Sequence, residues 1–140
     1  MILFKKESLR FLFCCVLLLI CCNMETAAQS STKPSKKITK TLYGTASFYG
    51  NKFNGRKTAN GEIFSQAKFT CACNVLPIGT WIKLTNMRNG KTVTVKVNDR
   101  LHPRMKRLVD LTKAAAQKLG FVSNGVARVK AEVLGKNRPR

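Results

Sequence analysis

Six carboxylates stand among 26 lysines and arginines in this 140-residue chain. Each acid is therefore conspicuous as a group that could move a proton. Glu62, Asp99, Asp110 and Glu132 are the four that lie beyond the first 28 residues. A carboxyl group held in a cleft can protonate a leaving oxygen or accept a hydroxyl proton. Asp99 ends a strand pattern in which Val93, Val95 and Val97 share a face, and a strand end is a common place for a side chain to meet a cleft. Arg100, next in line, can orient or screen it, and at this level a functional role and a structural pairing are equally supported. Glu62 closes the turn-forming stretch TANGE (58–62), a loop of the kind that carries polar side chains over a rigid scaffold; a solvated loop glutamate is the alternative. Asp110 precedes Leu111 and Thr112 at an expected helix start, where a carboxylate satisfies free N–H groups, with substrate contact as the alternative. Glu132 alternates outward with Arg128 and Lys130 and reads as a surface ion pair.

Other chemistries find less support. His102 is the only histidine, and nothing in the spacing joins it to Cys73 and Asp99 as a nucleophilic set. Cys71 and Cys73 lack the spacing of a zinc site and have no evident fourth ligand. No phosphate loop or nucleotide fingerprint is present. The expectation is an active site without metal or cofactor, with both cysteines as small buried side chains. A disulfide across one intervening residue would be strained.

The elements that must position these residues follow from pattern. Residues 1–28 read as an export signal: Lys5, Lys6 and Arg10, then an apolar run from Phe11 to Cys22, then small residues ending at Ala28. Lipidation at Cys21 or Cys22 is left open, as is membrane association through this end. Residues 29–41 are polar and basic with one proline, a flexible tether. Residues 42–135 form the domain and 136–140 a basic tail. Within the domain, strands are expected over 43–49, 79–86, 91–97 and 126–133, with Asn89-Gly90 as a hairpin turn. One helix follows Thr112, runs through three alanines and ends at Gly120. Short strands with one helix indicate a mainly β fold and a small barrel, without specifying which.

Beyond residue 28, 23 basic residues face four acids, a net charge of about +19. Such a surface favours polyanions. In an exported protein, acidic glycan or anionic lipid suits that charge, and nucleic acid is excluded as a target. A membrane-active toxin would need an amphipathic basic helix, which the alanine-rich segment does not supply.

Several motifs in order resemble one known family. GTASFYG (44–50), FNGRKTANGE (53–62), LPIGT (76–80), Thr85-Asn86 with Asn89-Gly90, VNDR (97–100) and VDLT (109–112) are similar to the rare lipoprotein A family of peptidoglycan lytic transglycosylases. The resemblance covers residues 43–134. It implies a six-stranded double-psi β-barrel with one or two short helices, export to the periplasm or cell envelope, and a monomer acting on peptidoglycan glycan strands. It implies endolytic cleavage between MurNAc and GlcNAc, with 1,6-anhydroMurNAc ends as product. Asp99 is then the catalytic acid, aided by Glu62, with Tyr49, Thr58, Asn60, Asn98, Arg100 and His102 around the sugar. For Asp99 to work, Arg100 must point away from it or contact substrate. Two positions depart from the family pattern: Cys73 stands where a histidine is usual, and Leu101-His102-Pro103 replaces a common Gly-Pro-Phe. A wall-binding module that grips glycan without cutting it is the alternative.

Overall fold

The computed structural model describes residues 40–137. The expected export signal, residues 29–39 of the expected tether, Cys21, Cys22 and the last three residues of the expected tail lie outside the described residues. Six strands close a barrel: β1 (Lys40–Phe48), β2 (Thr70–Ala72), β3 (Trp81–Asn86), β4 (Thr92–Asp99), β5 (Val109–Leu111) and β6 (Ala127–Gly135), in the order β1-β5-β2-β4-β3-β6. Two contacts are parallel, β1 with β5 and β2 with β4. The other four are antiparallel. The fold is mainly β, as the patterning indicates, with one helix, α1 (Lys113–Leu119), and two single 3-10 turns among the described residues.

Period-two alternation explains the long strands. Ile82 and Leu84 of β3, Val93, Val95 and Val97 of β4, and Val129, Ala131 and Val133 of β6 all point into the core. The β3–β4 hairpin closes through Gly90, whose φ of 71° needs a residue without a Cβ and whose N–H donates to the Asn86 carbonyl at 2.8 Å. β1 begins at Lys40, so Lys40 and Thr41, at the end of the expected tether, already pair with Val133 and Glu132. Lys130 and Glu132 form the expected ion pair at 3.4 Å.

The two shortest strands have no such signature. β2 and β5 contribute three residues each, all buried, and three residues cannot display a period. Their consequence is a correction at Asp110. The expected helix-start role does not hold, because Asp110 is the middle residue of β5 and α1 begins three positions later. Thr112 occupies the cap position, yet its hydroxyl donates to the Lys68 carbonyl rather than to the helix. Gly120, at φ 71°, ends α1 as expected.

Register decides what shares a row. Ser47 lies opposite Asp110, Asp110 opposite Ala72, and Ala72 opposite Asp99. The row therefore crosses β1, β5, β2 and β4. A bulge between Cys71 and Ala72 skips Asn98, bringing Asp99 into that row. Bulges of this kind re-aim side chains beside functional clefts.

Candidate active site

Asp99 and Asp110 both line a groove of about 500 Å³. Phe48, Tyr49, Phe53 and Phe64 form its aromatic side, and Leu101, His102 and Met105 contribute from the loop after β4. Gly50, Arg56, Lys57, Arg100 and Arg107 complete the lining.

Three donors converge on the Asp99 carboxylate. The Tyr49 hydroxyl donates to Oδ2 at 2.8 Å, while the N–H groups of Ala59 and Arg100 donate to Oδ1 at 2.9 and 2.8 Å. Burial pushes the Tyr49 phenol well above its usual value, and its bond to Asp99 and the charges of Asp99 and Asp110 push the same way. Tyr49 therefore remains a donor at any physiological pH. The Arg100 guanidinium turns away from Asp99 and donates to the carbonyls of Cys73 and Leu76, the second at 2.7 Å.

Glu62 sits on the loop over the end of β4. Thr58 and Asn60 shape that loop: Thr58 Oγ1 donates to Asn60 Oδ1 at 2.6 Å and to the Glu62 carbonyl at 3.1 Å, and the Glu62 N–H donates to Asn60 Oδ1 at 3.1 Å. Buried Asn98 donates to Glu62 Oε2 at 3.2 Å, and the Lys96 ammonium lies 3.5 Å from Oε1. The Asn98 bond holds the Glu62 carboxyl below the usual range; desolvation opposes it, and Asn60 and the charge of Lys96 add lesser downward contributions. Glu62 is not among the groove-lining residues. Asn98 and Asp99 are consecutive on β4, and one serves Glu62 while the other faces the groove.

Of the sequence-derived set, the groove brings together Asp99, Tyr49, Arg100 and His102. His102 Nδ1 accepts the Arg104 N–H at 3.3 Å. Thr58, Asn60, Asn98 and Glu62 form a second cluster, joined to the first by Ala59 and by the Asn60 N–H, which donates to the Asn98 carbonyl at 3.2 Å. Cys73 is fully buried and is not part of the groove lining. Both cysteines are free thiols, and burial pushes the Cys71 thiol up.

Sequence reasoning gave Asp110 substrate contact only as the alternative, and did not single out Arg107, which lines the groove, or Ser47, which bonds Asp110. Ser47 donates to Asp110 Oδ1, and the Arg107 guanidinium lies 3.2 Å from the same oxygen. The available signal was Val109-Asp110-Leu111, an acid flanked by apolar residues, which also suits a short buried strand. Ion pairing then separates the four acids. Glu62 pairs with Lys96, Asp110 with Arg107 and Glu132 with Lys130. Asp99 alone among the described carboxylates has no cation bonded to it.

A family model described as "Lytic transglycolase" matches residues 41–131. The chain belongs to that family. The match covers all of the groove and Glu62 loop residues above. Among the relatives of this chain is a protein named endolytic peptidoglycan transglycosylase RlpA from Neisseria meningitidis serogroup A, 44% identical over 119 residues, which are 84% of this chain and 50% of that protein. A protein of the same name from Pseudomonas aeruginosa strain UCBPP-PA14 is 48% identical over 91 residues, 65% of this chain and 27% of that protein. The chain thus spans half or less of the length of these curated relatives. Among solved structures, an expansin from Clavibacter michiganensis aligns with a TM-score of 0.58 at 19% identity, covering 71% of this chain and 53% of the expansin. Streptomyces papain inhibitor aligns with a TM-score of 0.56 at 21% identity, covering 69% and 96%. These two likenesses, with the family match, identify the barrel as a double-psi β-barrel.

Proposed function

We propose that this chain is an exported, cell-envelope lytic transglycosylase that cuts peptidoglycan glycan strands internally between MurNAc and GlcNAc, leaving 1,6-anhydroMurNAc ends. The single observation that carries this reading is Asp99, the one domain carboxylate without an ion pair in a strongly basic chain, lining an aromatic-walled groove. Membership of the lytic transglycolase family and the names of its relatives support the same chemistry.

In this mechanism Asp99 gives a proton to the GlcNAc oxygen leaving C1 of MurNAc. The 6-hydroxyl oxygen of the same MurNAc forms a bond to C1 as the old bond breaks, and its proton passes to Asp99. The carboxyl group ends in its starting state, and no water is consumed. The paired carboxylates of hydrolytic glycosidases, one of which activates a water or forms a glycosyl bond, are therefore not required. Tyr49 holds Oδ2, Arg100 ties the end of β4 to the segment after β2, and Asn98, Asn60 and Thr58 fix Glu62 as a charged group beside the groove. His102, also in the groove lining, contacts sugar.

The test is to incubate the purified protein with glycan strands and search for anhydro-muropeptides by mass spectrometry. Asp99→Asn should reduce product by roughly two to four orders of magnitude, the usual contribution of a positioned acid–base group. Products that persist at the wild-type rate in Asp99→Asn would refute the assignment.

One observation favours a second reading, a glycan-binding module that does not cut. Cys73 occupies the position where the resemblance puts a histidine, and its side chain is buried outside the groove lining, so no imidazole reaches Asp99 from there. Binding to glycan with no anhydro product at any pH would select that reading.

A further inference from the structure

The groove walls carry Arg56, Lys57, Arg100, His102 and Arg107. Two of these cations are already engaged, Arg100 by the carbonyls of Cys73 and Leu76 and Arg107 by Asp110. His102 takes the Arg104 N–H on Nδ1. Arg56 and Lys57 are exposed, and neither belongs to any of the ion pairs found among the described residues. Their loop is not slack. The Gly55 N–H donates to the Phe64 carbonyl at 2.9 Å, the Phe64 N–H donates to the Arg56 carbonyl at 2.8 Å, and Lys57 bridges Ile63.

A short chain of contacts links Arg56 to the proposed acid. The Arg56 guanidinium lies 5.5 Å from the Phe53 ring centre. Phe53 packs edge-on against Tyr49 with centroids 5.5 Å apart, and the Tyr49 hydroxyl donates to Asp99. A guanidinium held over an aromatic ring is partly oriented before any ligand arrives. Its planar fork matches a carboxylate with two parallel N–H bonds.

We propose that Arg56 and Lys57, with Phe53 as platform, form a subsite for a carboxylate carried by the muramic residue next to the cleaved bond. The groove thereby selects acidic over neutral glycan. This rests on the glycan-cleaving reading above. The carboxylate has two chemical sources: the lactyl group of a strand stripped of its peptides, or the peptide of an intact strand.

The experiment compares three substrates, namely peptide-bearing strands, amidase-stripped strands, and stripped strands whose carboxylates are capped as neutral amides. Binding by co-sedimentation and anhydro-product formation are measured for the full chain and for the Arg56→Gln/Lys57→Gln variant. Capping is expected to weaken wild-type binding about tenfold, the scale of one charge-assisted hydrogen bond. The double variant should bind capped and uncapped strands alike. A larger drop for the variant on stripped strands assigns the lactyl carboxylate, and a larger drop on peptide-bearing strands assigns the peptide. Equal wild-type binding to all three strands overturns the proposal, as does a variant that still discriminates among them. Discrimination by charge with no anhydro product from any strand would instead overturn the transglycosylase reading and leave the carboxylate subsite standing.

Discussion

Asp99 and Glu62 show how neighbouring residues on one loop-and-strand junction acquire different characters. Asp99 takes its donors from Tyr49 and two backbone N–H groups, without a cation. Glu62 takes Asn98 and Lys96. The assignment of Tyr49 as a positioning donor predicts that Tyr49→Phe keeps the fold and the glycan affinity while lowering turnover roughly ten- to a hundredfold, the worth of a hydrogen bond to a charged group. Steady-state rates of anhydro-product formation test it, and an unchanged rate would exclude the role. Glu62 makes a prediction in pH. Its folded-state value lies below its unfolded value, near 4.3 for an ordinary glutamate. The folded state therefore binds fewer protons, so the contribution to stability is present above that value and is lost as pH falls through the folded one. The side chain is 38% exposed, so solvent keeps the effect small. Melting temperatures of wild type and Glu62→Gln, compared from pH 7 to 3, should converge towards the acid end; divergence would contradict the assignment.

At the level of elements, the groove depends on how the two three-residue strands sit between longer ones. β5 is held between β1 and β2, and its middle residue, Asp110, is thereby fixed opposite Ser47. The bulge in the β2–β4 contact brings Asp99 to the same row. Gly44, in β1, lets the segment before β5 approach closely: a Cβ added there would stand 2.6 Å from the Leu108 Cβ. That atom is fixed to the backbone and cannot swing aside. Gly44→Ala should therefore destabilise the barrel by about 1–3 kcal/mol, the usual cost of overpacking. For a domain of this size each kcal/mol lowers the melting temperature by roughly 4–8 °C. A thermal melt checks this, and an unshifted midpoint would mean that β1 and the Leu108 segment are not so closely packed in solution.

Over the whole molecule, the dominant feature is excess positive charge. The described carboxylates other than Asp99 already have cationic partners, so most lysines and arginines have no acid to neutralise them. Like charges on a compact domain repel, and salt screens them with a Debye length of about 10 Å at 0.1 M. Thermal stability should rise as salt increases from low ionic strength towards 0.2 M. A fall over that range would show that the attractive pairs outweigh the repulsion.

The long strands were legible because alternation over six or more residues has only one sensible burial, and β3, β4 and β6 follow it. The helix end was legible from Gly120, and the turn from Gly90, because each needs a left-handed backbone. Asp99 was visible as an acid at a strand end, and the scarcity of acids made it stand out. β2 and β5 were not visible, since three buried residues carry no period, and Asp110 was misplaced with them. Composition and local pattern determined a basic, mainly β domain with a few candidate acids. Tertiary register alone decided which of those acids face one groove and which have a cation beside them. Both depend on a bulge and on parallel pairings between residues far apart in the chain, and no local preference encodes those.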